Sequence, residues 1–309
     1  MKFLIMVFAA AMCAGAWGGP ITLPRGPLYF SVRTAEQYSK SNDISNSLNP
    51  AKAAANEGNW GIVEVDSIAI GNALMPPGWQ INSMGPMIFS NGNGPQILGI
   101  FYGVQNNPSG VGRPVTSKGG TMDLYFWESN IQQDVGTELA SGSNGLKKRS
   151  GPAGNQYTGF TCSSNTVDCT LLARFDFSAG ADLSSQVNTI YSPPFSSIFD
   201  AYLSVDINTP GAWTAALASN YFSLNPAQQV CGVGNTSCTS ANDIRADGTF
   251  TQSGTGDWNI SDTDIVGLSK DGALRAFVVP EPDALMLTAL ALVALGVAGG
   301  RRYDSRQPI

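Results

Sequence analysis

The sequence predicts an all-β protein: an antiparallel β-sandwich, jelly-roll-like, occupying residues 19–279. Three observations predict it. Apolar and polar residues alternate over runs of eight or nine, turn residues separate the runs, and helical periodicity is scarce. The 309 residues are enough for one large β domain, and 43% hydrophobic content is ordinary for a globular chain.

The clearest runs lie in the second half. Leu171–Ser178 would turn Leu171, Ala173, Phe175 and Phe177 inward, and Phe199–Ile207 would turn Asp200, Ser204 and Asp206 outward. Further strands are predicted at Tyr29–Arg33, Gly61–Ile70, Ile97–Gln105, Thr121–Glu128, Thr249–Ser253 and Ala273–Val279. Ile97–Val104 is apolar on both faces, which suits a central strand. Pro76-Pro77-Gly78, Asn91 to Pro95, Asn106-Asn107-Pro108 and Asp271-Gly272 supply turns. Ala51–Glu57 and Trp213–Phe222 could each form two or three helical turns. The glycine-rich stretch 142–154, with Lys147-Lys148-Arg149 inside it, reads as a surface loop. No glycine-rich GxGxxG turn follows a strand, so a doubly wound nucleotide fold is not expected.

Composition removes several functions. Without histidine there is no Ser-His-Asp or Cys-His catalysis and no histidine-bound zinc. Only 13% of residues are charged, and residues 19–280 hold 13 Lys+Arg against 20 Asp+Glu, a net −7. Such a surface does not suit nucleic acid.

The two ends read as address labels. Lys2, the apolar run Phe3 to Cys13 and the small residues Ala14-Gly15-Ala16 form a secretory signal peptide over residues 1–18. At the other end, Pro280-Glu281-Pro282 precedes the apolar run Ala284 to Gly300 and then Arg301-Arg302. As a helix those 17 residues reach roughly 26 Å, the short edge of a membrane span. The arginine pair favours a cytoplasmic tail, with the residues before Pro280 on the outer side.

This Pro-Glu-Pro, apolar helix and arginine cluster resembles the PEP-CTERM sorting signal, over residues 280–309. It departs from that pattern in the seven residues, Tyr303 to Ile309, that trail the arginines. The resemblance implies processing by exosortase, a transient inner-membrane span at 284–300, and a Gram-negative source that exports exopolysaccharide. It places the body of the protein at the cell surface or in the extracellular, biofilm matrix.

Cysteine usage is consistent with export. Cys162 and Cys169, then Cys231 and Cys238, each enclose six residues. Four cysteines allow three connectivities, and the matched spacing favours disulfides 162–169 and 231–238, each stabilising by about 2.5 kcal/mol. A four-cysteine metal site normally has shorter spacings.

Three kinds of side chain carry candidate chemistry. Glu64 and Asp66, with Asp123 and Glu128, are the acids that could form a glycosidase pair, a reaction that needs two carboxylates and no histidine. Acids at alternate strand positions are usually just the wet side of a sheet. Asp257, Asp262 and Asp264 form an oxygen-rich stretch that could bind calcium, reaching Asp243 or Asp247 only through the fold, although it lacks the glycine and distal glutamate of an EF-hand. Of Trp60, Trp79, Trp127, Trp213 and Trp258, Trp79 beside its proline turn is the candidate for stacking on sugar rings. The reading is therefore a non-enzymatic exported protein, without a cofactor, of structural or adhesive role in an exopolysaccharide matrix. A carbohydrate-binding module and a carboxylate-dependent glycoside hydrolase are the alternatives.

Overall fold

The computed structural model describes residues 20–39, 59–73, 81–92, 94–107, 115–128, 149–150, 156–157, 169–178, 189–191, 196–223, 241–253 and 264–279. The strands are β1 (Gly26–Ser39), β2 (Asn59–Ala73), β3 (Ile81–Ser90), β4 (Gln96–Asn107), β5 (Val115–Lys118) and β6 (Thr121–Trp127). They continue with β7 (Arg149–Ser150), β8 (Gln156–Tyr157), β9 (Cys169–Ser178), β10 (Thr189–Tyr191), β11 (Ser196–Val205), β12 (Ile244–Ser253) and β13 (Asp264–Val278). Among the described residues one short helix, α1 (Thr214–Leu217), stands between β11 and β12.

The all-β prediction holds: every strand pair is antiparallel, and α1 is a single turn where two or three were expected. The arrangement differs from two stacked sheets. Eleven strands share one sheet, and β1-β2-β4-β6-β9-β11-β12-β13 returns to β1 as a closed circuit. An eight-stranded antiparallel ring is a barrel, with an interior that side chains can fill. The other sheet among the described residues is the two-stranded pair β7-β8, too small to be the second layer of a jelly-roll-like sandwich. Closure depends on the length of β2. Its first half pairs with β4 through Glu64–Leu98, and its second half pairs with β3 from Ser67 onward.

Strand alternation fills the barrel. Leu28, Phe30, Val32 on β1, Phe199, Ala201, Leu203 on β11, and Leu274, Ala276, Val278 on β13 belong to one buried cluster. β9 departs from the predicted parity. The β6–β9 register steps from Leu124↔Ala173 to Tyr125↔Leu171, so Leu172 is the extra residue of a bulge. It is fully buried, where Leu171 was expected to be. β4 is buried on both faces from Ile97 to Phe101, as predicted.

A shared bend extends the ring. Gly103 on β4 and Gly120 between β5 and β6 both have positive φ, +73° and +102°. A Cβ on Gly120 would lie 2.4 Å from Val104 Cγ2, so only glycine lets these neighbours turn together. Beyond the bend β5 leaves β6 and reaches β11 through β10.

One end of the barrel is closed by the segment after β11. Ala212 and Trp213 donate backbone hydrogen bonds to Leu171 and Leu172 carbonyls at 3.0 and 2.7 Å. This brings the Trp213 ring edge-on to Phe30, 6.1 Å between centroids, and its indole N–H to the Ile21 carbonyl at 2.8 Å. Gly211 makes the approach feasible, because a Cβ there would sit 2.4 Å from the Leu172 carbonyl oxygen. Gly211→Ala is therefore expected to destabilise the protein by about 1–3 kcal/mol, read from its denaturation midpoint, by forcing the cap off β9.

Candidate functional site

The acids singled out in the sequence lie on the outer wall. Glu64 and Asp123 point away from the barrel axis, opposite in parity to inward Val63 and Met122, yet are 1% and 0% exposed. Arg33 stands across from Glu64 in the ladder, with its Nη2 3.0 Å from Glu64 Oε2. Its Nε donates to Asp66 Oδ1 at 2.8 Å. Asp66 is the extra residue of a β1–β2 bulge, which aims it at the same guanidinium. Asn91 Nδ2 donates to the other Glu64 oxygen.

Asp123 is held more tightly. Arg174, its ladder partner on β9, donates Nε to Oδ1 at 2.6 Å and Nη2 to Oδ2 at 2.9 Å. The Tyr102 and Tyr125 hydroxyls approach Oδ2 at 3.3 and 3.4 Å. Burial, with the Asp123 charge beside it, pushes the Tyr125 phenol above its ordinary range. The hydrogen bond to Asp123 raises the pKa of Arg174 further, so the guanidinium stays charged. A two-pronged arginine fork satisfies a carboxylate and leaves it poorly placed to exchange protons with a substrate. Glu128 follows β6 and is exposed. Glu64, Asp66 and Asp123 are thus each set against an arginine.

A second set of outer charges crosses four strands. Tyr202, Arg245, Arg275 and Tyr29 occupy one ladder row. Two facing arginines would repel, but Asp200 takes Arg245 through two 3.0 Å bonds and Asp247 takes Arg275. Arg275 also lies over the Tyr29 ring at 5.5 Å and donates to the Ile81 carbonyl at 2.9 Å. Burial, with Arg245 adding to it, lowers the Arg275 pKa.

Asp243 has a different task. Its Oδ2 accepts the Val205 N–H at 2.8 Å and its Oδ1 the Asn220 N–H at 2.6 Å. It thereby pins the turn in which Asn220 adopts φ 53°. Burial raises its pKa, and backbone bonds from Val205, Asn220 and Ser219 pull in the opposite direction.

The remaining expectations fall unevenly. Among the described residues, no group of three or more Cys, Asp or Glu could hold a metal ion. Asp264 opens β13, and Asp257 and Asp262 lie outside the described residues, as do Trp79 and Trp258. Trp127 and Trp213 are 6% and 2% exposed, so neither offers a sugar platform. Cys169 opens β9 and is disulfide-bonded. Cys162, Cys231 and Cys238 lie outside the described residues. So do residues 1–18, the motif Pro280–Pro282, the run 284–300 and Arg301-Arg302. No helix among the described residues is long and apolar enough to cross a membrane.

The root of the tail is described. The Val279 N–H donates to the Ala216 carbonyl at 3.2 Å, and Val278 pairs with Gly26. The start of β1 and the end of β13 therefore meet at the capped end of the barrel, beside a cleft lined by Ile21, Arg25, Trp213 and Val279.

The interior holds a cavity that sequence reading did not anticipate. It measures about 50 Å³ and is lined by residues from all eight ring strands. Ten of the eleven lining residues are apolar, and the eleventh is Thr34. The signal for Thr34 was present in the sequence as the next inward position after Leu28, Phe30 and Val32. Compared with protein-family models, curated proteins and solved structures, the chain matches none.

Proposed function

We propose that this chain is an exported, non-enzymatic protein, sorted by exosortase, whose barrel has a structural or adhesive role in the exopolysaccharide matrix. The observation that carries the reading is the ordered set Pro280-Glu281-Pro282, Ala284–Gly300 and Arg301-Arg302, together with the signal-peptide pattern of Lys2, Phe3 to Cys13 and Ala14-Gly15-Ala16. Two features support it. The β13 ladder ends at Val278, two residues before the motif, so the barrel is complete without the tail. The pairing of Glu64, Asp66 and Asp123 with arginines supports a body without hydrolytic chemistry.

Deleting Pro280–Pro282 tests the proposal in the native host. The expected result is accumulation of an unprocessed precursor in the inner membrane and loss of the protein from the cell surface and matrix. Unchanged mass and unchanged location would sink it.

A further inference from the structure

We propose that the barrel interior binds a small uncharged molecule with an apolar body and one hydrogen-bonding group that meets the Thr34 hydroxyl. Thr34 is 8% exposed, and its Oγ1 has no hydrogen-bond partner. Ser117 Oγ shares that condition, but only Thr34 lines the cavity. An unpaired buried hydroxyl is destabilising, and valine would fill the same space without that cost.

The surroundings narrow the occupant. A trapped water needs two to four polar partners, and the lining side chains offer one. No lining residue is charged, so an ion or a carboxylate would lose its hydration without compensation. Met122, Phe177, Phe199, Leu203 and Leu274 instead suit an alkyl group of about two carbons, the size that about 50 Å³ admits. The threonine hydroxyl both donates and accepts, so an alcohol or a carbonyl would serve as the polar group.

An entry route lies beside Thr34. The β1–β13 register jumps between Val32↔Gly272 and Thr34↔Ser269, and the β12–β13 register jumps between Asp247↔Ala273 and Thr251↔Leu268. The wall is therefore less firmly laddered on both sides of β13 at the level of the cavity, where local opening costs least. This inference does not rest on the sorting signal.

The test uses the full chain in lipid nanodiscs, with ¹³C-methyl methionine, titrated with ethanol and with ethane. The Met122 methyl lines the cavity and reports occupancy, while Met87, 61% exposed, is the control. Ethanol should shift the Met122 signal and bind about five-fold more tightly than ethane, the worth of one hydrogen bond. Thr34→Val should abolish that preference, and Thr34→Ser should keep it. The proposal is overturned by a Met122 signal that neither probe moves, by equal binding of the two probes to the unaltered protein, or by a preference that survives Thr34→Val.

Discussion

Methionine in place of Arg174 is expected to destabilise the folded protein by about 3–5 kcal/mol. The reason is the carboxylate left behind. Asp123 is fully buried, and without the guanidinium its named partners are two tyrosine hydroxyls at 3.3 and 3.4 Å. Removing one member of a buried ion pair strands the other charge, whereas replacing both by apolar groups is often neutral. The double variant Asp123→Leu, Arg174→Met should therefore recover most of the loss. Urea denaturation of the three variants beside the parent protein measures both effects. A single-variant loss below about 1 kcal/mol would mean that the pair behaves as a surface salt bridge.

Asp243→Ala is expected to cost about as much, roughly 3 kcal/mol or more, by a different route. It leaves the Val205 and Asn220 N–H groups without their acceptor, and each unsatisfied buried donor costs about 1–3 kcal/mol. Asp243→Asn keeps the shape and should cost less. The pH dependence separates charge from hydrogen bonding. Burial raises the Asp243 pKa, so the folded protein holds that proton to higher pH than the unfolded chain does. Its contribution is greatest below the ordinary carboxylate range and is lost as pH rises through the raised folded value. As pH rises from below the ordinary carboxylate range through the raised folded value, the parent should therefore lose stability relative to Asp243→Asn. Parallel curves for the two proteins would remove Asp243 as the source of the slope.

The strands were legible because their signal is local. Phe199 to Ile207 alternates in the chain itself, and the inward residues Phe199, Ala201, Leu203 and Val205 are all buried. Leu172 was misassigned because a bulge, set by pairing with Tyr125 and Leu124, reverses the alternation at one residue. The acids were visible as residues but not as pairs. Asp123 and Arg174 are 51 positions apart, and only the β6–β9 register brings them face to face.

By itself, the sequence determined that this is an all-β chain, rich in Ser, Thr, Asn and Gln, with no histidine chemistry open to it. It also supplied the signals at both ends from which export is proposed. Tertiary structure alone decided that eight strands close into one ring and that Arg33 and Arg174 engage the candidate acids. It also decided that Thr34 faces an apolar cavity. Period-two alternation says which residues share a face of a strand, but says nothing of which strands pair. Closure, ion pairing and cavities all depend on contacts between residues far apart in the chain.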